Sequence, residues 1–199
     1  MYPRTEVQPA LTIPEVLARA RGVNDPDAPA LTFYAGRKCE LRWSWAEYLS
    51  AIDGWAELLG RAGVEAGDRV ATLLLNRPEV PALYLGALSL GAVIVPLNPR
   101  YSPAESRHVV GETEPKVLVA DRSTAALSGD AVEQLCNQVV WVDEAELDPA
   151  AAPAEKRLAG DAPALILYTS GTTAFPKGVV HMHRNLVANL LQSEAWYQP

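Results

Sequence analysis

Between Thr169 and Gly178 the chain reads TSGTTAFPKG, placing Thr169, Ser170, Thr172 and Thr173 around Gly171, with Pro176 just ahead of Lys177. Each type has a use beside a phosphate. Hydroxyls donate to phosphoryl oxygens, a glycine lets the backbone come close, and successive amides form an anion-binding concavity. Lysine supplies a compact positive charge. Pro176 narrows the conformations of the loop before the lysine, which lowers the entropy lost on binding. The chemistry indicated is capture of a phosphate chain. The same residue types also make a polar hairpin tip with a surface lysine, and composition alone leaves both readings open. The order departs from the Walker pattern, because Gly178 follows the lysine, and no G-x-G-x-x-G dinucleotide pattern occurs.

Such a loop needs rigid flanks. Ala164 to Tyr168 is apolar and strand-like, and Val179 and Val180 resume a β-branched run beyond it. Upstream, the pattern predicts strands over 68–76, 92–98, 116–121 and 138–143. Helices are predicted over 79–90, 102–112 and 131–136. Uninterrupted apolar strands alternating with helices imply an α/β fold with a mostly parallel sheet flanked by helices. Three stretches match the capping box, Thr12 with Glu15, Ser44 with Glu47 and Ser102 with Glu105. The second opens an amphipathic helix whose Trp45, Tyr48, Leu49, Ile52, Trp55, Ala56 and Leu59 share one face, with Gly63 as its stop. Residues 144–163 turn to Ala, Pro, Glu and Asp. The expected division is therefore an α/β subdomain over 1–143, a linker over 144–163, and the loop hairpin with its following helix over 164–199, opening a second, incomplete subdomain.

The totals exclude some classes. A net charge of -7 argues against nucleic acid as the main partner, since that binding relies on clustered Lys and Arg. Cys39 and Cys136 form no CxxC pair and read as two thiols in a reducing cytoplasm. Val80 to Leu97 carries no charge for 18 residues, but Pro81, Gly86, Gly91 and Pro96 divide it into a buried helix and a buried strand, so no transmembrane segment is expected. His181 and His183 alternate along a strand, and with only His108 elsewhere no third zinc ligand is visible.

The stretch YTSGTTAFPKGVVHMHRNL (168–186) resembles the phosphate-binding signature of the adenylate-forming enzymes, which include acyl-CoA synthetases, luciferases and peptide-synthetase adenylation domains. Residues 67–121, with "VPLNPR" before a helix and "KVLVAD" as the next strand, are similar to the N-terminal region of acyl-CoA synthetases. The resemblance implies the first part of that family's large N-terminal domain. It implies joining of a carboxylic acid to AMP from ATP with release of pyrophosphate, then transfer of the acyl group to coenzyme A. Thr169, Ser170, Gly171, Thr172, Thr173 and Lys177 match the positions that embrace the β- and γ-phosphates, with Mg2+ bound mainly through ATP. No catalytic residue or protein nucleophile is assigned, and no metal ligand. His183 matches a position where a helix-start or packing role is expected. Trp196 and Tyr197 stay unassigned.

Two departures qualify the resemblance. The family has glycine or serine where this chain has Ala174, and a positive φ there would cost alanine about 1–2 kcal/mol. The adenine and ribose motifs, the hinge and the domain with the catalytic lysine do not occur in these 199 residues. The expectation is an ATP-dependent carboxylate–CoA ligase fragment of fatty acid metabolism, inactive alone. The alternatives are an adenylating enzyme with another acceptor, such as a carrier-protein thiol, and a truncated non-catalytic remnant.

Overall fold

A computed structural model describes residues 11–127, 132–154, 156–169 and 175–197. The chain opens with helix α1 (Ile13–Val23), a hairpin of β1 (Pro29–Ala35) and β2 (Lys38–Ser44), and helix α2 (Trp45–Arg61). There follow β3 (Arg69–Leu73), α3 (Glu79–Ser89), β4 (Val93–Pro96), α4 (Pro103–Thr113) and β5 (Val117–Ala120). Short helices α5 (Arg122–Leu127) and α6 (Val132–Leu135) lead to β6 (Val139–Trp141). After a long connection come β7 (Pro163–Thr169), β8 (Lys177–Met182) and α7 (His183–Tyr197).

Six strands form one sheet in the order β6-β5-β3-β4-β7-β8. In this sheet, among the described residues, β7–β8 is antiparallel and the other pairs are parallel. The alternation of side chains along each strand divides the core in two. Val70, Ile94, Val117 and Val119 face α1, α2, α3 and α7, joining Leu17, Ile52, Trp55, Leu59, Leu83 and Val187. Their neighbours Ala71, Leu73, Val95, Leu118 and Ala120 face the other way and meet Val109 and Val110 of α4 and Leu135 of α6. Strands covered on both faces can be apolar throughout, which is why β5 reads VLVA.

All three capping boxes form. The backbone N–H groups of Thr12, Ser44 and Ser102 donate to Glu15, Glu47 and Glu105 at 2.7, 2.8 and 2.7 Å. Helix α2 carries Ile52, Trp55, Ala56 and Leu59 buried as its spacing predicts, while Trp45, Tyr48 and Leu49 are half-buried. Gly86 lets α3 lie against α2, since a Cβ there would sit 2.7 Å from the Ile52 carbonyl and 2.9 Å from the Trp55 Cβ. The buried Asp53 of α2 pairs with Arg21 of α1 at 2.5 Å. Burial pushes the Asp53 carboxyl above its ordinary range, against the pull of Arg21.

The β1–β2 hairpin has no counterpart in the predicted elements; its turn is marked by Gly36 at φ 62. Among the described residues the segment after residue 144 carries no helix or strand until β7, yet it is packed down. Leu147 covers Gly54, Leu158 covers Gly91, and Ser50 donates to the Pro149 carbonyl at 3.1 Å. The first amides of α7 donate into it, from His183 to Ala162 at 3.0 Å and from Arg184 to Gly160 at 2.8 Å. Residues 164–199, expected to open a further subdomain, place β7 and β8 in the same sheet as β3 to β6. Among the described residues no helix is long and apolar enough to cross a membrane.

Candidate functional site

Because β3, β4, β5, β6 and β7 run parallel, their carboxyl ends share one edge of the sheet, the edge where open α/β sheets collect ligands. The apolar strand β7 ends there at Thr169, and β8 starts back at Lys177. The two residues are cross-strand partners in the antiparallel ladder. Directly paired residues have their Cβ atoms on one face, about 4.5–5.5 Å apart, so Thr169 and Lys177 leave the tip from the same face. Both residues are exposed, and Lys177 makes no ion pair among the described residues. Of the predicted phosphate ligands, Thr169 and Lys177 are thus brought together. Ser170, Gly171, Thr172 and Thr173, and with them Ala174, lie outside the described residues.

The other strand ends carry charges that satisfy one another. Arg77, after β3, bridges Glu79 at 3.2 Å and Asp143 at 2.7 Å. The backbone N–H of Arg122 donates to Asp143 at 3.0 Å, while its guanidinium reaches Glu144 at 2.7 Å and lies 3.7 Å above the Trp141 ring. The Asp143 carboxyl is held below its ordinary range by the Arg122 amide and by Arg77. Burial would raise Asp121, but hydrogen bonds from Ser123 and Thr124 outweigh it and keep that carboxyl low. This network is closed on itself, whereas the tip of β7–β8 presents donors facing solvent.

On the opposite face of the hairpin lies α4. Tyr168, which the ladder pairs with Gly178, lays its ring where a Cβ on that glycine would sit 3.0 Å away. So directed, the Tyr168 hydroxyl donates to Glu112 at 3.0 Å. Burial, then the hydrogen bond and charge of Glu112, push Tyr168 up to about 12, so it keeps its proton. One turn earlier on α4, His108 lies 3.2 Å from the carbonyl of the buried Pro176, and its ring packs on Phe175 with centroids 4.8 Å apart. Tyr101 donates to the Tyr168 carbonyl at 3.4 Å. The sequence by itself does not assign Tyr101, His108, Glu112 or Tyr168 to this site. The spacing of His108 and Glu112 puts them on one face of a helix, but nothing local ties that face to the loop.

His183 is wholly buried at the start of α7, where its Nδ1 accepts the Ile13 N–H at 3.3 Å. Nε2 therefore carries the hydrogen, and it has no partner among the described residues. Burial lowers the His183 pKa. Its place is in packing, between α1 and α7.

Comparison with known proteins matches residues 18–199 to the AMP-binding enzyme family. This chain belongs to that family. It is 32% identical over 168 residues to long-chain-fatty-acid–CoA ligase FadD13 of Mycobacterium tuberculosis, covering 80% of this chain and 33% of the relative. It is 34% identical over 167 residues to the hybrid PKS-NRPS synthetase pydA of Acremonium sp., covering 82% of this chain and 4% of that protein. The crystal structure of ATP-bound MatB from Rhodopseudomonas palustris superposes with a TM-score of 0.76 at 29% identity, covering 94% of this chain and 38% of that one. The chain thus spans about a third of the length of the CoA ligase it matches. The sheet and its flanking helices are those of the N-terminal domain of adenylate-forming enzymes.

Proposed function

We propose that this family member serves an ATP-dependent acid–thiol ligase, and that its loop from Thr169 to Lys177 holds the β- and γ-phosphates of ATP. The observation that carries the reading is the pairing of Thr169 with Lys177 at the carboxyl edge of a parallel sheet, where the ammonium has no protein partner among the described residues. In the proposed reaction a carboxylate oxygen attacks the α-phosphorus and the bond to pyrophosphate breaks, leaving an acyl adenylate. A thiol then displaces AMP to give the thioester. Negative charge grows on the departing pyrophosphate, and donors fixed beforehand stabilise it without reorganising. Thr169, Ser170, Thr172 and Thr173 supply hydroxyls, Gly171 a close backbone approach, and Lys177 the charge. Mg2+ would arrive with the triphosphate and neutralise part of its charge; a hydroxyl-rich loop suits a hard cation.

The acceptor we favour is coenzyme A, supported by the likeness to FadD13. A carrier-protein thiol is the second reading, supported by the likeness to a PKS-NRPS synthetase. Cytoplasmic placement and a part in fatty acid metabolism belong to the same proposal, with Cys39 and Cys136 both free thiols. The 199 residues alone are expected to give negligible adenylation, because a phosphate loop without an adenine pocket lacks most of the nucleotide's binding energy. Calorimetric titration of the chain with Mg-ATP tests the loop. Binding that weakens in Lys177→Ala and in Thr172→Ala supports the reading, and binding indifferent to both ends it. Pyrophosphate exchange at robust rates with any carboxylic acid would overturn the expected inactivity.

A further inference from the structure

Helix α4 touches the loop hairpin at both ends of the loop and is itself fixed at both of its own ends. At its start Ser102 and Glu105 form the capping box. At its finish Arg69 donates to the carbonyls of Thr113, at 2.5 Å, and Glu114, at 3.0 Å. Glu114 there adopts φ 42, a left-handed turn that ends the helix sharply. Between these anchors the helix presents Glu112 to the Tyr168 hydroxyl and His108 to the Pro176 carbonyl. Tyr168 immediately precedes Thr169, and Pro176 immediately precedes Lys177.

We propose that His108 and Glu112 of α4 are positioning residues that clamp the two ends of the phosphate loop, fixing Thr169 and Lys177 relative to each other. The function assigned to the clamp rests on the phosphate reading above. The chemistry fixes the donors. A carbonyl only accepts, so the hydrogen of His108 lies on Nε2 and points at Pro176. That nitrogen is also 3.6 Å from Glu112, whose carboxylate thus faces both the His108 ring and the Tyr168 hydroxyl. Gly178 completes the clamp, because a larger residue would displace the Tyr168 ring and carry its hydroxyl away from Glu112. Pro176 has no N–H to join the ladder, and its carbonyl is held by His108 just ahead of Lys177. Lys177 needs this help because it opens an edge strand exposed along Lys177 to Val180.

Nitrogen-15 relaxation of the Lys177 amide in the full chain, without nucleotide, tests the clamp. The expected order parameter is near the rigid value of about 0.85 in the wild type and below roughly 0.6 in His108→Ala. It should return in His108→Gln, whose side-chain amide can donate to the same carbonyl. Tyr168→Phe, which keeps the ring on Gly178 and loses the bond to Glu112, should loosen Lys177 as well. Binding of tripolyphosphate should weaken about tenfold in His108→Ala, the worth of one hydrogen bond, and recover in His108→Gln. A Lys177 that is mobile in the wild type, or equally rigid in His108→Ala and Tyr168→Phe, overturns the clamp whatever the ligand does. Looser Lys177 with unchanged tripolyphosphate affinity overturns the positioning role. Absence of tripolyphosphate binding in the wild type sinks the phosphate reading, while the relaxation data still decide whether α4 holds the loop.

Discussion

The centre of the sheet and its β7–β8 edge are made of similar β-branched residues and live in opposite surroundings. In β5 every residue from Val117 to Ala120 is buried, with one side chain facing each core in turn. In β8 the residues Lys177 to Val180 are all exposed, and Val179 and Val180 keep 46% and 51% of their surface open. The centre is held by burial, which is strong and non-directional. The tip is held by a few directed bonds from α4, and among the described residues no ion pair holds the Lys177 ammonium. The scaffold and the proposed binding chemistry are thus separated, and substitutions in one should leave the other untouched.

Four measurements break or sharpen that separation. The largest effect is expected from Arg21→Ala, which strands the buried Asp53 and should cost roughly 3 kcal/mol of stability near neutral pH by denaturant unfolding. The folded-state pKa of Asp53 is raised, so the folded protein takes up its proton first and the penalty should shrink as the pH is lowered. A penalty independent of pH would show that the ion pair is not its source. Next is Gly86→Ala, which forces a methyl against the Ile52 carbonyl and should cost about 2 kcal/mol, with tripolyphosphate affinity retained wherever the chain remains folded. Lys177→Ala should behave in the reverse way. Affinity for Mg-ATP should fall about tenfold while the unfolding midpoint stays in place, and a matching loss of stability would contradict the separation.

The smallest effect concerns His183. Its folded-state pKa lies below the ordinary 6.5, so the unfolded chain binds the proton first. Stability should be level above 6.5 and decline as the pH falls from there toward the folded-state value. Comparison with His183→Gln isolates the contribution. An equal decline in that variant would assign the acid sensitivity to other groups.

Much of this arrangement is readable from short windows of sequence. The three capping boxes, the helix stop at Gly91 and the buried strands 117–120 and 93–96 fall inside the predicted spans. The predicted strands overrun the observed ones, as at 68–76 against Arg69–Leu73, because apolar residues continue past the last ladder bond. The β1–β2 hairpin leaves no such signal because none of its residues is buried and their exposure shows no clean alternation. The residues 144–163 look like a loose connection in composition. Their packing over Gly54 and Gly91, and their carbonyls at the start of α7, depend on groups far away in the chain.

What the amino-acid order determined by itself was everything decided within a turn or a strand: caps, periodicity, and the hydroxyl, glycine and lysine set of the loop. Those interactions close over three or four residues, so their pattern is visible as spacing. Only the tertiary structure decided which helix meets that loop. His108 and Pro176 are 68 residues apart, and Tyr168 and Glu112 are 56 apart. No periodicity spans such gaps; the crossover that sets β7 beside β4 brings them together, and with them the grip on Lys177.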